Sequence, residues 1–129
     1  MSSLHCGTAG RAGECVNMNL QPLTESAQLA EIDELSGSQD VIIFKHSTRC
    51  VISAMAWDRL RRNWDEQVDS LPVYYLDLIR YRATSDAVAR HYNVVHESPQ
   101  LILVRDGKVR YQTSHNGINV KDIKEIVHA

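Results

Sequence analysis

Cysteine is scarce in this sequence, with three in 129 residues. That is too few for the disulfide frameworks that hold small secreted folds together. A dominant charge is also missing. Fourteen Lys and Arg stand against 16 Asp and Glu, for a net charge of −2, which excludes a strongly basic nucleic-acid binder and a polybasic membrane module. No apolar run approaches the roughly 18–20 residues that cross a bilayer. The opening MSSLHCGTAGRAGECVNMNL lacks the continuous apolar stretch of a secretory signal. A Gly-rich phosphate loop, a Ser/His/Asp arrangement and an internal repeat are absent too. The expected compartment is therefore a reducing cytoplasm, where a cysteine tends to be buried, metal-bound or chemically used.

What is present fits one globular domain. The chain is 43% hydrophobic and 23% charged, near the globular average. Its length is enough to bury a core without a structural metal. Residues 1–20 are rich in Gly, Ser, Ala and Thr and read as a loose tail, with residues 21–129 as the domain. Met18 is a candidate alternative start. Cys6 and Cys15 then fall in an extension that the domain does not need.

The remaining pattern is α/β. Residues 24–36 read as a helix, with Thr24 as N-cap and Gly37 as terminator. Val41 to Lys45 is a short β-branched run that reads as a buried strand. A polar turn follows, and then a helix over about residues 51–67. Its expected core face is Ile52, Met55, Ala56, Leu60 and Trp64, and its expected polar face carries Arg59, Arg61 and Arg62. Val73 to Ile79 reads as a second strand after a break at Pro72. Thr84 or Ser85 is expected to cap a short helix ending at Tyr92. Leu101 to Val104 and Lys108 to Ser114 read as a hairpin closed by Asp106-Gly107, with Val109 and Tyr111 on one face. Asn119 is expected to cap a last helix carrying Val120, Ile123, Ile126 and Val127 inward. This order predicts a mixed four-stranded sheet with helices on both faces.

Cys50 lies where a buried strand gives way to a helix. The free N–H groups and the dipole of a helix start favour an anion, and cysteines so placed have pKa values lowered by one to several units from about 8.5. Lys45, His46 and Arg49 add nearby positive charge. A thiolate is the nucleophile of disulfide exchange. Ser53, three residues on, replaces the second thiol of a C-x-x-C pair. A serine hydroxyl cannot release a mixed disulfide, though it can hydrogen-bond a thiolate. The pattern suggests a one-cysteine cycle in which an external thiol completes the exchange. The blander alternative is an inert, buried Cys50. Ser98-Pro99 precedes a strand, where proline is confined to the first residue or a special turn. The bond is ordinarily trans, and a cis bond there would open the N–H and C=O of Ser98 to an incoming extended chain.

The strings Lys45-His46-Ser47-Thr48-Arg49-Cys50-Val51-Ile52-Ser53-Ala54, His96-Glu97-Ser98-Pro99-Gln100 and Thr113-Ser114-His115 resemble the YtxJ-type monothiol bacilliredoxins of the bacillithiol system, a branch of the thioredoxin-like superfamily. The resemblance covers about residues 18–128. It implies a thioredoxin-like fold, with Cys50 as redox nucleophile, Ser53 as the non-resolving motif residue and Pro99 as a cis proline facing Cys50. Thr48, Arg49, Val51, Ser98 and Pro99 would be the substrate-binding positions, and the nearby charge of Lys45 and His46 makes them candidates to tune the thiol. It also implies a thiol–disulfide oxidoreductase that removes bacillithiol or a similar low-molecular-weight thiol from protein mixed disulfides. That thiol would be a co-substrate, with no permanently bound cofactor and no metal. The family usually reads Cys-Pro-Ile-Ser, and here Val51 stands in place of the proline.

The alternative function is a non-catalytic thioredoxin-fold adaptor or thiol sensor. Cys6 and Cys15 have no spacing that marks them as resolving thiols, and with His5 they lack a second ligand pair at zinc spacing. Trp57 and Trp64 read as core, and the arginine cluster as a solvated face or a steering patch for an anionic thiol. Protein mixed disulfides and a small thiol are the expected partners, with no nucleic acid and no membrane. Nothing in the sequence sets the oligomeric state.

Overall fold

The structure is a computed structural model, described here over residues 18–128. Five strands form one mixed sheet: β1 (Asn19–Pro22), β2 (Val41–His46), β3 (Pro72–Asp77), β4 (Gln100–Arg105) and β5 (Lys108–Ser114). Their order across the sheet is β1-β3-β2-β4-β5. β1, β3 and β2 run parallel, while β4 is antiparallel to β2 and β5 to β4. Four helices cover it: α1 (Gln28–Leu35), α2 (Val51–Asn63), α3 (Arg82–Tyr92) and α4 (Val120–Val127).

The alternation of side chains along β2 divides the interior. Ile42 and Phe44 join Ala56 and Leu60 of α2 and Val120 and Ile123 of α4. Val41 and Ile43 join Leu29 and Ile32 of α1 and Val88 and Tyr92 of α3. All six β2 residues are buried, as a strand covered on both faces must be. The sequence shows this as a continuous apolar run that ends in Lys45 and His46.

Several expectations need correction. The fifth strand, β1, was not expected. All four of its residues are exposed and it closes on Pro22, so it carries no apolar period and reads as tail. α1 starts at Gln28 rather than Thr24, and its N-cap, Ala27, makes no side-chain cap. Instead the Gln28 amide reaches back and its Oε1 accepts from the N–H of Thr24 and Glu25. α3 starts at Arg82, and Thr84 and Ser85 lie buried inside it rather than at its cap. Pro72 is the first residue of β3, not a break before it.

The core face of α2 is also rotated from the expected one. Ile52 and Met55 are 53% and 60% exposed, while Ser53, Ala56 and Leu60 are buried. Arg59 is not part of a solvated face. Its guanidinium donates to the carbonyls of Ile118 and His115 and ties α2 to the turn after β5. Val109 and Tyr111 face opposite sides. A register shift pairs Val104 with Val109 and Leu103 with Tyr111, leaving Arg110 as the extra residue of a β-bulge. Val109 packs with the α1–α3 layer and Tyr111 with the α2–α4 layer.

Other local signals hold. Asp106 and Gly107 both have positive φ, as a type I′ hairpin turn demands. Asn119 caps α4, its side chain accepting from the N–H of Asp122 at 2.8 Å.

Candidate active site around Cys50

Cys50 is the N-cap residue of α2, in extended conformation, and half-buried. Its N–H donates to the carbonyl of Ser47, and its own carbonyl accepts from Ala54. No side chain caps this helix start. The position that a Ser or Asp oxygen would fill holds sulfur instead. Cys50 is the one cysteine among the described residues, and Cys6 and Cys15 lie outside them. No cluster of His, Cys, Asp and Glu that could hold a metal occurs among the described residues.

Register brings the second motif to the same place. Lys45 pairs with Gln100 across antiparallel β2 and β4. Continuing the ladder, Pro99 and Ser98 come alongside the end of β2, where the turn to Cys50 begins. The Ser98–Pro99 peptide is cis. Pro99 is buried and Ser98 half-buried. The Pro99 carbonyl accepts from the N–H of His115, which joins the Thr113-Ser114-His115 string to the other two. Thr48, Arg49 and Val51 are exposed around Cys50, and Val51 is 74% exposed.

Ser53 is fully buried beneath this turn. Its Oγ lies 2.7 Å from His46 Nδ1 and accepts from the N–H of Ser47 at 3.0 Å. Both partners belong to the end of β2, and no hydrogen bond joins the hydroxyl to the Cys50 sulfur. Ser53 therefore pins the end of β2 to the first turn of α2. The sequence offered Ser53 as a neighbour of the thiol but gave no sign of His46 as its partner.

Lys45 and His46 point to opposite faces, as adjacent strand residues must. His46 shares the α2 side, its ring 5.6 Å from that of Tyr75. Burial holds its pKa below the usual histidine value, partly offset by Asp77, so the ring is neutral at pH 7. Lys45 faces the α1–α3 side and is fully buried. Its Nζ donates to the Ser85 carbonyl at 3.1 Å and lies 3.2 Å from His96 Nδ1. Of the two residues expected to tune the thiol, only His46 lies on the α2 side.

Trp64 is core, whereas Trp57 is half-buried against Phe44 and Tyr75. With Leu20, Pro22 and Arg61, Trp57 and Tyr75 line a shallow apolar recess. Arg61 sits at this recess and pairs weakly with Asp58. Arg62 also bonds Asp58 and is largely solvated.

A family model of the monothiol bacilliredoxin BrxC matches residues 21–123. The chain belongs to this bacilliredoxin family. Among solved structures, a thioredoxin-fold protein described as a candidate oxidoreductase is 29% identical, with a TM-score of 0.71 over 84% of this chain and 93% of that one. The thioredoxin of Malassezia sympodialis aligns with a TM-score of 0.69 at 13% identity, covering 88% of this chain and 95% of its own. Fasciola hepatica thioredoxin gives 0.65 at 12%, covering 84% and 96%. The last two share the fold alone. The bacilliredoxin is thus a thioredoxin-fold redox protein, and no helix among its described residues is long and apolar enough to cross a membrane.

Proposed function

We propose that this bacilliredoxin is a cytoplasmic monothiol–disulfide oxidoreductase that removes bacillithiol, or a similar low-molecular-weight thiol, from protein mixed disulfides. One observation carries the reading. Among the described residues, the one cysteine is half-buried at the N-cap position of α2, the β2–β4 register runs the Ser98–Pro99 loop toward that turn, and the residue one turn on is a buried serine, not a second thiol. An uncapped helix start favours an anion at that point.

The cycle has two exchanges. The Cys50 thiolate attacks the bacillithiol sulfur of the mixed disulfide. A new S–S bond forms to Cys50, the old one breaks, and the protein sulfur leaves as a thiolate that water protonates. The thiolate of a second small thiol then attacks the bacillithiol sulfur held on Cys50. The small-molecule disulfide departs and the Cys50 thiolate returns, so each cycle exchanges one disulfide for another and uses one external thiol for each protein thiol released. Ser53 cannot perform the second attack. Its role is to hold the turn through His46 and Ser47. The exposed positions Thr48, Arg49 and Val51 and the backbone of Ser98 would meet the substrate, with Pro99 as the wall beside Cys50.

The test is turnover on a bacillithiol-modified protein with external thiol supplied, together with intact mass spectrometry after incubation with oxidised bacillithiol. We expect repeated turnover, one reversible adduct on Cys50 and loss of both in Cys50→Ala. Equal behaviour of wild type and Cys50→Ala would refute the reading. A wild type that reacts only once would favour the adaptor or thiol-sensor function.

A further inference from the structure

Lys45 is the largest charged side chain removed entirely from solvent among the described residues. Its register partner Gln100 is fully buried too. Both side chains leave the same face of the sheet and enter the same loop. Gln100 Nε2 donates to the Val95 carbonyl at 3.0 Å, and its Oε1 accepts from the N–H of Glu97. Lys45 Nζ meets His96 Nδ1 and is fixed to α3 through the Ser85 carbonyl. A buried cross-strand pair thus holds residues 95–97, the segment leading to Ser98 and Pro99.

The chemistry of the Lys45–His96 contact has only one sense. An ammonium has donors and no acceptor, so Nδ1 of His96 must present its lone pair and its proton must sit on Nε2. Protonated His96 carries N–H on both nitrogens and a positive charge. It cannot accept from Lys45 and would repel it. His96 is an exposed residue, so water can deliver that proton.

We propose that Lys45 and His96 form a proton-sensitive latch that positions the 95–99 loop beside Cys50, and that protonation of His96 releases it. Lys45 and His96 are positioning residues, and their link to turnover rests on the function proposed above. The surrounding charges bear on the balance. Burial first, then Lys45 of β2 and Arg82 of α3, hold the His96 pKa below the ordinary value of 6.5, against Asp86 of α3 and Glu97 of the loop. Burial brings Lys45 down to about 8 despite Asp86, so it remains mostly an ammonium at pH 7. The remaining side facing the pair is β4, which supplies the neutral Gln100.

His96→Gln is the discriminating variant. Its Oε1 can accept from Lys45 but does not titrate. Histidine NMR should show the Nε2–H tautomer in wild type at pH 7 and titration below 6.5. Amide exchange at residues 95–98, taken as the wild-type to His96→Gln ratio at each pH, should rise roughly tenfold between pH 7 and pH 5, about the size of one lost charge-assisted hydrogen bond. The ratio removes the intrinsic pH dependence of exchange. In turnover, the same ratio cancels pH effects common to both proteins, and the wild type should lose kcat/KM relative to His96→Gln through KM as pH falls. Lys45→Met should loosen the loop at every pH; if it does not fold, His96→Gln carries the test alone. An Nδ1–H tautomer at pH 7, or identical loop exchange in wild type and His96→Gln across the range, would overturn the latch. A latch that titrates as expected in a protein without turnover would leave it standing and refute the oxidoreductase reading alone.

Discussion

Replacing Ser53 with alanine isolates what holds the Cys50 turn. The side chain is fully buried, and its oxygen serves two buried partners, His46 Nδ1 at 2.7 Å and the N–H of Ser47 at 3.0 Å. Alanine fits the space but satisfies neither. A buried polar group left without a partner costs about 1–3 kcal/mol, so the two together predict a loss of roughly 2–4 kcal/mol. At about 4 °C per kcal/mol for a domain of this size, Tm should fall by roughly 8–16 °C. Urea and thermal unfolding at pH 7 measure this directly. A double-mutant cycle with His46→Phe should show a coupling of about 1 kcal/mol or more between the two positions. His46 gives the sign of the pH dependence. Its folded pKa lies below 6.5, so between that value and 6.5 the unfolded chain holds a proton that the native ring does not. Stability from this group is complete above pH 6.5 and is lost as pH falls through the folded pKa. Ser53→Ala within about 0.5 kcal/mol of wild type, with no coupling to His46, would refute the account of this turn.

Other perturbations separate the site from the scaffold. Asp40 is buried at the far end of β2, where Arg105 and Arg110 both bond its carboxylate. Asp40→Ala should cost about 1–3 kcal/mol, since it removes a buried acceptor shared by two partly exposed arginines, and leave KM and kcat unchanged when assayed below Tm; a kinetic defect would show that the two ends of the sheet are coupled. Asn119→Ala removes the α4 cap and should cost about 1 kcal/mol in a urea melt. Val51 is the first residue of α2, and its N–H has no hydrogen-bond partner among the described residues. Val51→Pro should therefore be neutral or stabilising by up to about 1 kcal/mol, and a loss greater than that would show that the amide is engaged.

Much of this organisation is legible without coordinates. The β-branched runs of β2 and β4 and the Asp106-Gly107 turn are unambiguous, because burial on both faces and positive φ leave few residues to choose from. The placement of Cys50 at a strand-to-helix junction follows from the same patterns. The failures have physical causes. β1 takes its stability from pairing with β3 rather than from an apolar face. The face of α2 misleads because Ile52 and Met55 are apolar yet exposed near Cys50, while the buried position belongs to Ser53. Hydrophobicity alone cannot show that a hydroxyl with two partners is the better core residue. The charge of Lys45 points toward the thiol, whereas strand parity sends it to the face opposite His46. The Gln28 cap leaves no N-cap pattern in the sequence because it runs backward from inside the helix.

Arg110 shows how one unpaired residue serves two layers. With it, β5 sends Val109 beneath the hairpin and Tyr111 above, so a single ribbon shuts both sides of the interior. The same guanidinium, freed from the ladder, reaches Asp40. Deleting that residue would not shorten a loop. It would leave Val109 and Tyr111 adjacent in a regular ladder, still facing opposite layers, and cost the buried carboxylate one of its two counterions.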